Sequence, residues 1–456
     1  MRTWIMAAVL AAAAQGAAWA APLEGEQAAL HVLNRAAFGP RPGDVERVRQ
    51  VGVQAYIDEQ LGHAPLPVAL AQRLDSLGTV NMSAGEALAR FQQARAMGQG
   101  AQGERREVVA QMASELAEAR LLRAIESPRQ LEEVMVDFWY NHFNVFAGKG
   151  QDRALVASYE RDAIRPHVFG NFRQLLGATA KHPAMLFYLD NWVSRAGGLN
   201  ENYARELMEL HTLGVDNGYT QKDVTELARM LTGWTYAPRR DAQFVFDPRR
   251  HDNGAKSWLG KPVSARGQAE GEYALDVLAV HPATARHVSA KLAQYFVADA
   301  PPAALVERMA QSWLASRGDI RAVLRTMFAS QEFMDQQYAG AKFKTPYQFV
   351  VSAARAAAVP MTEVKPLAGT LARLGMPLYG CQTPDGYKNT EDAWLNPDGL
   401  SRRIAYAISL APATDAAIVQ AALGPGLSRH TLGVVAGSNE RLRAAMLLGS
   451  PDFMQR

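Results

Sequence analysis

From Asn200 to Trp234 the chain reads NENYARELMELHTLGVDNGYTQKDVTELARMLTGW, two helical patterns in succession, each with its own start and stop signal. Asn200 can accept a hydrogen bond from a free amide at the start of the first helix. Gly214, just past Leu213, readily takes the left-handed conformation that ends a helix, which gives a helix of about thirteen residues. Projected around that helix, Glu201, Asn202, Arg205, Glu206 and Glu209 fall within one arc of roughly 140°, and Tyr203, Ala204, Leu207, Met208 and Leu210 fill the other side. Thr220 opens the second helix, with Asp223 three residues on as a capping box built with the shorter acid, and Gly233 closes it. Glu226 and Arg229 are spaced to pair across one turn. A polar arc opposite an apolar one is also what an ordinary surface helix shows, with Glu201/Arg205 and Arg205/Glu209 as i,i+4 pairs. His211 falls in the apolar arc, away from the carboxylates, so it reads as a core histidine bonded to a backbone carbonyl rather than as a ligand.

The same helical period, marked by caps and prolines, runs through most of the chain and predicts a mainly α, multi-helix globular protein. Ser127-Pro128-Arg129-Gln130 carries a serine cap, a proline at the first helical position and a glutamine three residues on. The helix it opens holds Val134, Phe138, Trp139, Phe143 and Val145, with Asp137, Asn141 and Asn144 on another stripe and His142 one turn after Phe138. His182-Pro183 opens the apolar helix AMLFYL, which delivers Asp190 and Asn191 at its end. Between about 236 and 262 the helical pattern breaks. Gln243 to Phe246 alternates as a strand, and Ser257 to Leu259 is its expected partner across a polar turn from Asp247 to Lys256, giving a small hairpin near 243–260. HPATARHVSAKLAQYF (281–296), Pro302 to Ser316 and Asp319 to Phe328 follow as helices. Met327 to Met334 echoes Leu447 to Met454, each with a serine capping a turn before a core phenylalanine, Phe333 or Phe453. Ala84 to Gly103 has weak apolar content and reads as a mobile stretch or an exposed helix; Gly-rich Leu423 to Ser438 reads as loop. The region 21–456 is one helical unit that can divide into lobes 21–240 and 265–456 joined by the hairpin.

Residues 1–20 carry the marks of a secretory signal: Arg2, an apolar Ala-rich run from Trp4 to Ala14, then Ala18-Trp19-Ala20 before Ala21-Pro22, which places cleavage after Ala20. No later run approaches the roughly eighteen consecutive apolar residues of a membrane span. A periplasmic or secreted protein is expected. The single cysteine, Cys381, has no partner for an internal disulfide, so stability must come from a buried core, and Cys381 itself reads as a small hydrophobe. The net charge is +3 with Lys and Arg dispersed, which gives no case for a nucleic-acid or membrane-surface partner.

No HExxH, CxxC, Walker loop or GxSxG occurs, and Glu206 and Glu209 do not stand three residues before His211 as a di-iron bundle site requires. What remains is a loose constellation: Asp190 and Asn191 at a helix end, the arc of Glu201, Asn202, Arg205, Glu206 and Glu209, His142 with Asn144, and His251-Asp252 with Lys256 in the hairpin turn. If these converge, two carboxylates in different environments can serve as general acid and base, with Arg205 or Lys256 meeting negative charge. Alternatively, Asp190, Glu201, Glu206 and Asp252 can offer oxygens to a divalent cation, Ca²⁺ or Mg²⁺. Against both stands an ion-pair network that only joins helices, and for His251-Asp252, followed by Asn253-Gly254, a plain turn role.

The Asn200–Trp234 run, preceded by HPAMLFYLDN (182–191) and DFWYNHFNV (137–145), resembles the bacterial domain-of-unknown-function family numbered 1800. LNRAAFGP (33–40), HDNGAKSWLG (251–260), KFKTPYQFV (342–350) and TPDGY with Trp394 agree with it, so the resemblance spans nearly the whole chain after the signal. It implies export, and a partner: a co-encoded exported protein similar to the alkaline phosphatase and sulfatase superfamily. It implies no activity. Two functions are therefore carried forward. One is binding or processing of a cell-envelope or extracellular glycan at a site centred on Glu206, Arg205, Glu201 and Asp190. The other is a non-catalytic accessory or scaffold role beside the sulfatase-like neighbour, with a Ca²⁺-stabilised adhesin as a third and weaker reading.

Overall fold

Side-chain caps start the helices largely where the sequence places them. In the computed structural model, which describes residues 21–96, 102–358 and 364–456, Thr220 and Asp223 complete their capping box. His182 and His281 each accept, through Nδ1, the backbone N–H two residues on. Asp319 caps helix Ile320–Phe328 by accepting from Ala322. The leader expected over residues 1–20 lies outside the described residues, as do 97–101 of the Ala-rich stretch.

The protein is mainly α-helical, and its described sheets are two antiparallel pairs of strands. Their pairing corrects the expected hairpin. β2 (Gln243–Phe246) pairs with β1 (Trp234–Ala237), with Trp234 opposite Phe246, and β3 (Ser257–Trp258) pairs with β4 (Lys261–Pro262). Asp241 and Ala242 both take positive φ (52° and 51°) and close the turn before β2 tightly. The segment 247–256 is not a hairpin turn because its side chains are bound elsewhere, as described below.

Other boundaries differ for local reasons. The first helix of the Asn200 run is regular only over Asn202–Glu209. Asn200 Oδ1 does accept from Asn202 N–H at 2.9 Å, and Gly214 is left-handed at φ +91°. In between, Thr212 Oγ1 donates to Leu207 O at 2.6 Å, and the amides of Leu210 and His211 both bond to Glu206 O, so the last turn widens and the regular helix ends. Helix Gln130–His142 begins three residues after Ser127, whose Oγ accepts from Arg129 N–H. Gln130 there donates to Ala124 O and Ser127 O, tying this helix to Gln102–Glu126. Ala84–Ala96 is helical and buries Leu88 and Phe91. The segment read as a Gly-rich loop contains helix Arg429–Ala436, capped by Ser428. In the echoed pair, Ser330 and Ser450 accept from Phe333 and Phe453, and both phenyl rings are buried.

Helix Gln130–His142 lies in the middle of the core. Trp139 stacks with Phe143 and contacts Phe138 and Phe172, and Phe172 meets Trp313. Each such fully buried side chain contributes about 1.5–3 kcal/mol. One hydrophobic cluster runs from Ala29 to Met454 and includes helices Pro282–Phe296, Ala303–Ser316 and Ile320–Phe328, which pack in series.

A chain of charges threads this core. Helix Asp152–Ser158 passes into a π-helical stretch, Tyr159–Ile164, which sets Glu160 inward. Glu133 pairs with Arg165 at 2.9 Å, Arg165 with Glu160 at 2.8 Å, Glu160 with Arg120 at 2.6 Å and Arg120 with Asp137 at 2.9 Å. Tyr295 OH donates to Asp137 at 3.0 Å and Tyr379 OH to Glu160 at 2.7 Å. The rings of Tyr140, Tyr347 and Tyr379 lie 5.4–5.5 Å from the Arg120 guanidinium. Burial would raise Glu160, but Arg165 and Arg120 outweigh it and hold the carboxyl at about 2.

Candidate functional site

The arc on helix Asn202–Glu209 is largely satisfied by its own neighbours. Arg205 meets Glu201 and Glu209, each at 3.4 Å, and donates to Gln221 Oε1 at 2.8 Å. Gln221 Nε2 and Thr225 Oγ1 donate to the two oxygens of Glu201 at 2.8 and 2.7 Å. These groups bind helix Asn202–Glu209 to helix Gln221–Met230. Glu206 is different: its carboxyl makes no hydrogen bond or ion pair among the described residues. Burial raises its carboxyl, Glu209 adds to the rise, Arg205 opposes it and Asp385 adds again.

The second part of the constellation lies at the end of helix Pro183–Tyr188. Asp190 is held at φ +59°, a conformation that costs a non-glycine residue, and its carboxylate pairs with Lys149 Nζ at 2.8 Å. Lys149 also donates to Tyr188 O at 2.6 Å. Asn191 is buried beneath, its amide donating to Leu231 O and Trp234 O, and Asn202 Nδ2 donates to Leu189 O at 3.4 Å. Phe187 and Trp192, both half-buried, stack with centroids 5.6 Å apart at 25°, and Tyr236 follows at 6.2 Å from Trp192. Tyr236 OH donates to Gln151 Oε1 at 3.1 Å.

Asp152 completes this corner. Its backbone N–H bonds to Lys149 O at 2.9 Å, its side chain is 0% exposed, and neither carboxyl oxygen has a hydrogen-bond partner among the described residues. Burial pushes the carboxyl far up; Lys149 opposes this and Asp190 adds to it. Burial therefore favours the protonated form of Asp152. It also raises the neighbouring Tyr188 and Tyr236 hydroxyls. Two carboxyl groups thus share one corner in contrasting surroundings, Asp152 buried and unbonded, Asp190 39% exposed and salt-bridged.

Tyr188 links this corner to a third group. Its OH donates to Gln382 O at 2.8 Å, and it feels the charge of Glu206. Asn144 Nδ2 donates to Cys381 O and Thr383 O at 3.0 and 2.8 Å, anchoring the segment that carries Asp385. Cys381 is buried with Sγ 3.8 Å from Thr383 O, consistent with a packing role. Nearby, His142 Nε2 donates to His211 O at 3.1 Å, and the His142 ring lies 6.2 Å from His211 and 6.4 Å from His287. His211 is buried in the core as expected, but the carbonyl in this contact is its own, and its Nε2 has no partner. Burial, then the charge of Lys291, lowers all three imidazoles: His211 to about 3, His287 to about 4, His142 well below its ordinary value.

The hairpin-turn residues stand apart. His251 Nδ1 faces Thr232 O at 2.9 Å, its Nε2 lies 3.4 Å from Glu270, and Lys256 pairs with Glu270 at 2.8 Å. Asp252 takes two bonds from Arg229, which also pairs with Glu226; those bonds hold Asp252 at about 2. With Asp252 on Arg229 and Glu201 on Gln221 and Thr225, the oxygen set imagined for Ca²⁺ or Mg²⁺ is not assembled. No group of three or more His, Cys, Asp or Glu side chains suited to a metal ion occurs among the described residues.

The sequence model for a family described as "Protein of unknown function (DUF1800)" matches residues 31–455. The chain belongs to the DUF1800 family. No curated protein and no solved structure matches it.

In this DUF1800 protein the structure brings Asp190, Asn191, Asn202 and Glu206 around one helix end, with Asn144 reaching it through Tyr188, sets His142 against His211 and His287, and leaves His251, Asp252 and Lys256 elsewhere. Sequence reasoning missed Lys149, Asp152, Asp385 and Lys291. The i,i+3 spacing of Lys149 and Asp152 in a Gly-rich turn was a local signal; nothing in the sequence marked the last two. The corner can hold a negative or hydroxyl group at Lys149 and Asp190 and present an aromatic face, with the buried Asp152 carboxyl behind it.

Proposed function

We propose that this DUF1800 protein is exported and binds a cell-envelope or extracellular glycan at the Lys149–Asp152–Asp190 corner, with processing of that glycan as the chemistry the two carboxyls make available. The supporting observation is the half-buried Phe187–Trp192 stack beside a lysine–carboxylate pair and an unbonded buried acid. Flat aromatic faces suit the apolar side of a sugar ring, and the charged pair suits its hydroxyls. The test is incubation of the purified mature protein with envelope polysaccharides, reading binding and product release with and without divalent cations. Binding lost in Trp192→Ala and Asp190→Asn supports the reading. Absence of binding and product under every metal condition removes it. N-terminal sequencing of the protein from the periplasmic or secreted fraction, beginning at Ala21, supports the export step.

A second reading, an accessory partner of the co-encoded sulfatase-like protein, rests on a different face. Ile404, Ile408, Val434 and Leu442 are each 46–51% exposed and line a groove of about 590 Å³ with Met446. Clustered exposed aliphatics mark interaction sites. Co-purification abolished by Ile404→Asp and Leu442→Asp but untouched by Trp192→Ala favours this reading over the first.

A further inference from the structure

The turn that carries Lys149 and Asp152 also walls a groove of about 780 Å³, shared with helices Ala84–Ala96 and Gln102–Glu126 and with residues 378–380. That volume is in the range of small-ligand sites. Arg106, Val109, Ala110 and Ala113 line it from helix Gln102–Glu126, and their i, i+3, i+4, i+7 spacing puts them on one face. Phe91, which is buried, and Phe146, which is half-buried, add aromatic surface. Ala147 N–H donates to Tyr379 O at 3.0 Å and ties the turn to the 378–380 segment.

Three arginines line this groove, Arg95, Arg106 and Arg153, and among the described residues no acidic side chain does. None of the three makes a hydrogen bond or an ion pair among the described residues; Arg95 has the Phe91 ring alone, with its guanidinium carbon 5.9 Å from the centroid. Other arginines of the same two helices are occupied: Arg90 donates to Gln111 at 2.8 Å, and Arg120 holds Asp137 and Glu160. The first turn of helix Asp152–Ser158 sorts its charges, with Asp152 in the interior and Arg153 on the groove. One exposed arginine is ordinary, but three around one concavity with no counter-charge make a local positive field. The groove also adjoins the corner. Gly150 lines it, and a Cβ there would stand 3.1 Å from the Phe187 ring, the first of the Phe187–Trp192 stack. The Lys149 ammonium lies 6.0 Å from the centroid of that same ring. One turn is thus a wall of both, with rings and cations on each side and carboxyl groups on the corner side alone.

We infer that the glycan taken at the corner is an acidic one, and that its chain continues along the groove with carboxylate or sulfate groups against Arg95, Arg106 and Arg153. The inference rests on the glycan reading and names its substrate class. Guanidinium groups pair with either oxyanion through paired N–H donors, and aromatic faces suit successive sugar rings. The small side chains of Ala94, Ala110 and Ala113 leave the groove an open trough, which suits a polar chain better than an acyl tail that must be shut away from water.

The test is calorimetric titration of the purified protein with polygalacturonate, its uncharged methyl ester, dextran sulfate and dextran at matched chain lengths, alongside thermal unfolding. Polygalacturonate, dextran sulfate or both should bind at least about tenfold more tightly than the uncharged counterpart, and the margin should shrink as NaCl rises from about 50 to about 500 mM. A margin for polygalacturonate alone points to a uronate, and for dextran sulfate alone to a sulfated glycan. Arg95→Ser and Arg153→Ser should each weaken binding about two- to fivefold, and together about tenfold. Their unfolding midpoints should stay near that of the natural protein, because neither arginine has an ion-pair partner to lose, and Arg153→Lys should retain binding. Equal binding of charged and uncharged chains, a charge preference undiminished in the double variant, or binding of phosphatidylglycerol vesicles in place of the polysaccharides overturns the inference. Trp192→Ala separates it from the reading on which it rests. Envelope polysaccharide binding that is lost in Trp192→Ala but indifferent to ligand charge and to the arginines leaves the glycan reading standing and this inference overturned; failure of every polysaccharide to bind removes both.

Discussion

Around Arg120, negative and positive groups alternate from Glu133 to Asp137, and each guanidinium faces carboxylates on both sides. At the Lys149–Asp190 corner and around His142 similar groups do not close on one another: both Asp152 carboxyl oxygens, His142 Nδ1 and His211 Nε2 are buried without partners among the described residues. The first region spends its charges on holding helices together. The second leaves polar groups without partners, the pattern on which the proposed binding site rests.

The largest expected effect comes from breaking the closed region. Arg165→Met strands Glu133 and Glu160 in the core and should cost about 3–5 kcal/mol of stability in a urea titration. A loss under about 1 kcal/mol would mean that the chain of charges is dispensable.

Asp152 should respond in the opposite sense. Its folded form keeps a proton that the unfolded chain gives up above about 3.8, so its contribution is fully present below that pH and declines as pH rises toward its elevated folded value. Glu160 runs the other way: its stabilisation is present above about 4.5 and is lost as pH falls toward about 2. Asp152→Asn should therefore gain about 1–3 kcal/mol at neutral pH and almost nothing near pH 4. Unfolding free energies measured from pH 3 to 8 would show the decline above about pH 4 reduced in Asp152→Asn, with the Glu160 loss at lower pH retained; an unchanged decline would assign it to other groups.

Smaller effects calibrate the comparison. Thr220→Ala removes one half of a capping box and should cost about 1 kcal/mol. Arg205→Gln, in the exposed arc with partners at 3.4 Å, should change stability by less than about 1 kcal/mol. If Arg205→Gln costs as much as Arg165→Met, the arc belongs with the closed region after all.

Much of the helical frame was legible because capping is local. The signals at His182-Pro183, Thr220 to Asp223 and the two echoed serines each act within three or four residues. The i,i+4 pairs of Arg205 were legible for the same reason. Strand pairing was not, because whether Gln243 to Phe246 turns toward Trp234 or Trp258 depends on Asp241 and Ala242 accepting positive φ and on Arg229 and Glu270 claiming Asp252, Lys256 and His251. The site was half legible. Asp190 and Glu206 could be named from helix ends and faces, whereas Asp152 matters only because its surroundings offer it no partner, and Lys291 and Asp385 meet the rest only in three dimensions.

Gly386 sits at φ +72° where any Cβ would collide with Asn141, whose side chain takes Tyr387 N–H and donates to Tyr387 O. With Asn144 bonded to Thr383, this fastens together segments 239 to 246 residues apart. Contacts so distant along the chain must await an expensive loop closure and form slowly. The helical frame can consolidate while the ribosome still holds later segments, yet the bonds of Asn141 and Asn144 close only once residues 381–387 arrive. Until then an early folding species leaves Asn141 and Asn144 without these partners, so the polar groups there stay open to solvent until the last long-range docking step.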